Sequence, residues 1–271
     1  MPPDSKTRLR AAISPKFDLP PPFHVVRLRE VGDAFVHATA IAAEEGAGTL
    51  VHVGRFDLAE FAVVLEPEEP LRTARRAMYI GMCALGDALA ALAPPEKSIS
   101  FDWPDAIRVD GGLVGGGRLS WPTAADEDQP PAWLVFGAMI RLVAMGEDEP
   151  GLRPLAAALE DEGFSDLDGR VLVESFARHL MVGFDITQES GFGEVARNYL
   201  SRLASEKAEP GKVRSREQVA VLRHNIDLEG NLLLGQAGAG KVERRSLIGA
   251  LAAPSWLDPV SGGPRRCPAQ A

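Results

Sequence analysis

The chain has 271 residues, 45% of them hydrophobic, and a net charge of −9, which fits one large globular domain or one large plus one small. The acidic balance argues against nucleic acid or an anionic membrane as main partner, because both demand a basic footprint. No apolar run approaches the roughly 18–20 residues that span a bilayer, and Met1–Pro22 lacks a signal peptide's apolar core, so the expected location is cytoplasmic.

In chain order, residues 1–19 read as a flexible, Pro-rich and basic arm. Phe23 to Leu28 alternates apolar and polar side chains, as a strand does. Asp33 can cap a helix carrying Ala34, Phe35, Ala38, Ile41 and Ala42, closed by Gly46 or Gly48. Leu50–Val53 and Phe61–Leu65 are the next strands, and Pro70 opens one long helix that Pro94 and Pro95 stop. Cys83 lies in that helix's apolar pattern and reads as a small core residue; Cys267 falls in the tail.

The stretch from Phe101 to Leu119 reads as strand, turn, strand. Pro104 biases Trp103 toward an extended conformation, and Asp110-Gly111-Gly112 is hairpin-turn chemistry, tolerant of positive φ. Gly115-Gly116-Gly117 stands where the strand should continue. Three residues without side chains suggest a bulge, or close approach by a ligand or another backbone.

Ala132 to Leu142 is an almost uninterrupted apolar run, fitting a buried central strand. Arg141 inside it either reaches water at the strand edge or faces a pocket as a cation. Helices at about 168–182 and 190–204 follow, the second beginning beyond Gly191 and Gly193, and then a linker at 205–213. Short strands near 219–224, 230–235 and 242–248 suggest a small β domain over 213–257, and 258–271 reads as a disordered tail.

Several motifs are weaker than they look. Gly235 to Val242 nearly spells a phosphate-binding loop, but Val242 stands where a Ser or Thr should hold magnesium. Too little chain follows for the parallel sheet such a loop needs, so a turn is the better reading. The histidines at 24, 37, 52, 179 and 224 show no metal-ligand spacing, and no zinc site is expected. Ser120 and Ser190 lack a Gly-x-Ser-x-Gly elbow.

The Trp103-Pro104 hairpin and the glycine after its turn resemble the central signature of the biotin/lipoate protein ligase superfamily. Gly48-Thr49-Leu50-Val51, Phe61 to Pro67, Trp133 to Ile140 and Ile226 to Leu234 resemble further parts of it, so the likeness spans about 23–250. It implies an α+β fold: a class II aminoacyl-tRNA synthetase/biotin protein ligase-like mixed sheet flanked by helices over 20–206, plus a small SH3-like C-terminal β domain. Members activate biotin or lipoate with ATP as an acyl-adenylate, releasing pyrophosphate, and pass the acyl group to a carrier lysine. ATP and biotin or lipoate are therefore the cofactor and ligand that the resemblance, and nothing else, implies.

The departures fall on the chemistry. The signature lysines land on Asp102 and on Gly112 or Leu113, the Asn on Asp105 and the Asp on Ala106. The Gly/Arg-rich adenylate loop belongs after Gly48-Thr49, yet Val53 to Leu58 runs straight into the next strand. The Ser-Thr-Asn stretch of the biotin pocket falls near Asp33-Ala34-Phe35, and the pocket glutamine near Phe56. Adenylation needs cations where negative charge builds. At an effective dielectric near 20, a charge pair about 4 Å apart is worth roughly 4 kcal/mol, so an aspartate in place of lysine is a serious penalty. Arg55, Arg118 or Arg141 could supply a replacement.

The ligand-binding candidates are thus Arg55, Trp103, Pro104, Asp105, Gly115, Gly116, Gly117, Arg118 and Arg141, with no catalytic residue assigned. Three functions compete. The first is a diverged ligase-like protein binding a small acyl or carboxylate ligand, or an acyl-carrier domain. The second is an active ligase or acyltransferase with a rebuilt site. The third is a non-catalytic interaction protein, dimerising through its sheet.

Overall fold

The computed structural model describes residues 16–29, 32–145, 156–165, 167–204, 222–236 and 242–266. Its centre is a seven-stranded sheet. β1 (His24–Leu28) runs parallel to β2 (Thr49–Val53), and α1 (Ala34–Glu45) makes the crossover between them. The remaining pairings, through β3 (Leu58–Leu65) to the later strands, are antiparallel.

α1 begins where Asp33 accepts from the Phe35 and Val36 amides at 2.8 and 3.1 Å, and it ends at Gly46, whose φ of 74° suits glycine. Its buried residues are Ala34, Ala38 and Ala42, four apart and so on one face. Such small side chains bring the helix close to Val51, Val53, Ala62, Val64 and Val135 on the sheet.

The expected long helix from Pro70 is two helices, α2 (Leu71–Ala74) and α3 (Ala77–Leu92). Between them the backbone tightens to i→i+3 bonds, from Arg76 N to Thr73 O and from Met78 N to Arg75 O. The side chains of the two arginines at the break have separate anchors. Arg75 bonds Glu127 and stacks 4.6 Å over Trp121, while Arg76 bonds Glu69 and stacks 4.8 Å over Phe192. Twelve of the sixteen α3 residues are buried, which makes it the central helix of the layer behind the sheet.

The signature stretch holds three strands and two turns. β4 (Ile99–Asp102) leads through Trp103–Asp105, with a cis Trp103–Pro104 bond, to β5 (Ala106–Val109). Asp110 and Gly111, at φ 46° and 84°, then make the expected primed turn into β6 (Gly112–Ser120). β7 (Leu134–Arg141) is buried throughout, as a central strand requires. The sheet order is β1-β2-β3-β7-β6-β5-β4.

After β7, α4 (Gly169–Ser190) runs eight residues past the expected end at 182, and Gly191 at φ 80° separates it from α5 (Phe192–Ser201), so Gly193 lies inside the second helix. With α3 they cover one face of the sheet, where Phe61 and Phe136 pack on Phe176. The expected linker at 205–213 lies outside the described residues.

β8 (Leu222–Ile226), β9 (Leu232–Gln236) and β10 (Val242–Arg245) form a small antiparallel sheet, and α6 (Leu247–Leu251) follows. Gly235 pairs with Val242 across β9 and β10. A hairpin therefore flanks the glycine run, and the phosphate-loop arrangement of strand, loop and helix is not what surrounds it. Ile226, Leu232, Leu234 and Leu247 belong to the main core rather than to a separate one.

Two end segments depart from expectation. Of the arm expected to be flexible, the described residues are docked: Phe17 meets His52 edge-on at 5.1 Å, and the Asp18 amide donates to Glu174. Of the tail expected to be disordered, residues 258–266 make hydrogen-bonded turns. Asp258 N donates to Gly263 O at 2.9 Å, and Arg265 N to Trp256 O at 2.7 Å. Among the described residues no helix is long and apolar enough to cross a membrane.

Candidate functional site

The glycine run is filled by the protein itself. Gly115, at φ 152°, sits at a bulge opposite Ile107 and Arg108, and a Cβ there would collide with the Met139 carbonyl. A Cβ on Gly116 would strike the Asp105 carbonyl and the Trp256 indole, and one on Gly117 would press Met82 and Phe136. The chain's own backbone and side chains take up the space at the three glycines.

Trp256 is the residue that sequence reasoning missed. It is fully buried, it packs with Leu58, Ala106, Leu113 and Met139, and its indole N–H donates to Gly117 O at 2.9 Å. Ser255 beside it donates through both its amide and its hydroxyl to the Asp105 carboxylate, at 3.0 and 2.6 Å. Burial pushes the Asp105 carboxyl up to about 6, against the lowering effect of the two Ser255 bonds. An isolated tryptophan beside an expected disordered tail was the available signal, because disordered segments are poor in aromatics.

Trp103 serves an internal joint, and Pro104 after it is buried. The Trp103 indole donates to the Tyr79 hydroxyl at 2.9 Å, and Tyr79 donates to Gly230 O at 2.6 Å. This chain of bonds fixes the small β sheet to α3. Asp102, at the position of the signature lysine, accepts from Arg108 at 2.7 Å.

On the sheet face shared by α1 and Trp256 lies a polar cluster. Arg118, 11% exposed, grips Asp33 with two bonds of 2.9 and 3.1 Å, and its guanidinium stacks 4.5 Å over Phe35. Burial by itself lifts the Asp33 carboxyl, but Arg118 and the two α1 amides outweigh it and hold the group below its ordinary value. Glu60, buried on β3, accepts from the Ala34 amide at 2.9 Å, and burial raises its carboxyl. The first three amides of α1 are therefore satisfied by the chain's own carboxylates, Ala34 by Glu60 and the next two by Asp33.

Arg55 and Arg141 do come together. A cavity of about 160 Å3 opens between the β2–β3 turn, the end of β7 and the turn at 261–264, with Arg55, Asp57, Arg141 and Arg266 among its walls. Arg55 holds Asp57 through two bonds of 3.0 and 2.7 Å and approaches Glu60 at 3.9 Å. Arg141 neither stands at a water-facing strand edge nor simply points into the space. It is 8% exposed and donates to the carbonyls of Ala157, Pro264 and Arg265, fastening the C-terminal turn to the sheet.

These residues do not fit an acyl-adenylate at the signature hairpin. The glycine strand is covered by an indole, the lysine position is a paired aspartate, and α1's leading amides are capped internally. Of the replacement cations, Arg118 is committed to Asp33, while Arg55 and Arg141 line a cavity whose walls include no residue of this hairpin.

Comparison with known proteins places this geometry. A biotin protein ligase-like protein of unknown function from Silicibacter sp. TM1040 superposes with a TM-score of 0.68 at 28% identity, over 85% of this chain and 96% of that one. The biotin protein ligase of Aquifex aeolicus gives 0.58 at 16% identity, over 82% and 99%. That of Leishmania major, in complex with biotinyl-5-AMP, gives 0.53 at 16%, over 84% and 99%. None of the curated proteins matches. The model of the Biotin/lipoate A/B protein ligase family matches residues 19–201. That match covers more than half of the chain: the chain belongs to the biotin/lipoate A/B protein ligase family.

Proposed function

We propose that this protein uses the ligase fold to bind a small carboxylate or acyl ligand without carrying out ATP-dependent acyl transfer. The observation that carries this reading is the cavity at Arg55. Among its walls, three guanidinium groups outnumber one carboxylate, and Leu58, Val143 and Met145 add an apolar side. Cations over an apolar wall suit a carboxyl head on a short chain. Its volume of about 160 Å3 lies below the roughly 300–1,000 Å3 of sites for larger ligands, which favours a compact occupant over a fused-ring one.

The loss of ligation is supported by charge. Asp102 directs a negative group where the adenylate's phosphate calls for a positive one, and Arg108 already answers it. The test pairs two measurements on the full chain. Pyrophosphate release with ATP and biotin, lipoate or octanoate is expected to stay at background. Calorimetric titration with carboxylates from acetate to hexanoate is expected to give binding that Arg55→Ala weakens at least tenfold. ATP-dependent pyrophosphate release would overturn the reading, as would carboxylate binding indifferent to Arg55.

A further inference from the structure

Within the walls of the Arg55 cavity, or next to them in sequence, stand apolar side chains left in water. Phe56, between the wall residues Arg55 and Asp57, is 70% exposed; Val260, next to the wall residue Ser261, is 94% exposed; Met145, in the wall itself, is 46% exposed. Single exposed apolar residues are ordinary. Three of them, on three separate segments in or next in sequence to the walls of one cation-bearing cavity, offer apolar surface to a partner bound there.

Resting on the reading that this cavity takes a carboxylate, we propose that the carboxylate belongs to a protein: an acidic side chain on an extended partner segment, flanked by aliphatic residues. The cavity holds a carboxyl group and a few methylenes and little more. A free short carboxylate would enter and leave Phe56 and Val260 as wet as before. A peptide that inserts its acidic side chain sets its neighbours on those two residues, so the charge supplies register and the flanks supply area. Charge complementarity selects the partner: this chain is acidic overall at −9 and would repel acidic segments elsewhere, whereas the wall of this cavity is rich in guanidinium.

The test uses the full chain and a fluorescein-labelled seven-residue peptide with one central glutamate between leucine pairs, read by anisotropy. Binding is expected to weaken at least tenfold when glutamine replaces the glutamate, and about tenfold in each of Phe56→Ser and Val260→Ser. Both substitutions are at exposed positions, and their melting temperatures check that the fold is intact. Propionate serves as the small competitor. If propionate binds in an Arg55-dependent way while the peptide binds no better, or binds indifferently to Phe56 and Val260, the peptide proposal falls and the carboxylate reading stands. If neither probe binds through Arg55, both fall.

Discussion

The indole of Trp256 lies against the bare backbone of Gly116, 140 positions earlier in the chain, and donates its N–H to the next carbonyl, that of Gly117, at 2.9 Å. Glycine at 116 and tryptophan at 256 are two halves of one fit. The strand surrenders its side chain and the C-terminal segment supplies one.

Removing the larger half should cost the most. Trp256→Ala empties a fully buried site and leaves the Gly117 carbonyl without its donor, so a loss of about 3–5 kcal/mol is expected, as for other buried aromatics. Urea denaturation followed by circular dichroism measures it. A loss under 1 kcal/mol would mean that the segment contributes little to holding the sheet.

Glycine substitutions should separate close approach from mere flexibility. Gly116→Ala drives a methyl into the Asp105 carbonyl and the Trp256 ring, and it should destabilise by about 3 kcal/mol or more. Gly193→Ala, in the first turn of α5 with nothing within 4 Å of the added carbon, should stabilise by about 0.5 kcal/mol. Thermal melts of the two variants should move in opposite directions.

Two buried groups should tilt the pH dependence of stability in opposite senses. Asp105 has its carboxyl pushed up to about 6 by burial, above the unfolded value. Between about pH 4 and 6 the native state then binds the extra proton, and stability falls as pH rises, by on the order of 3 kcal/mol in all. His52 is pushed down to about 4 by burial. Between about pH 4 and 6.5 the unfolded state binds the extra proton, so stability rises with pH by a similar amount. The two slopes oppose each other. Asp105→Asn should leave a net rise over this range and His52→Gln a net fall, measured as urea midpoints at half-unit steps. Parallel curves for both variants would contradict these assignments.

Arg118→Met keeps the packing length and deletes the charge. Asp33 then loses the cation that holds its carboxyl down, and Phe35 loses its stacked guanidinium. Breaking a fully buried pair costs about 3–5 kcal/mol. Asp33 is 36% exposed, so solvent screening should reduce this to about 2 kcal/mol. The Asp33 carboxyl should also titrate at higher pH, which carboxyl-carbon NMR reads directly.

Much of the fold was legible because it rests on local rules. The cap at Asp33, the turn at Asp110 and Gly111, and the nearly unbroken apolar run of β7 each act through neighbours in sequence. The family resemblance carried the mixed sheet flanked by helices and the small C-terminal β sheet, which local rules do not give. The site was less legible because its residues are joined over long separations. Arg118 meets Asp33 across 85 positions and Ser255 meets Asp105 across 150. From the chain alone, Arg118 read as a cation available to a ligand; only the third dimension shows a carboxylate already in its grip. The glycine run misled for a related reason, since a gap made for a ligand and a gap made for an indole look the same in one strand.

The partnership of positions 116 and 256 also sets an order of events during synthesis. The sheet can assemble once β7 has been made, yet the patch of Leu58, Ala106, Leu113 and Met139 stays bare until residue 256 emerges. Through that interval the nascent chain displays an apolar surface with no cover of its own, the condition in which partly made proteins associate or recruit chaperones. Messages cut short between α5 and Trp256 should therefore yield sticky products, although every strand of the main sheet and the helices behind it are present in them.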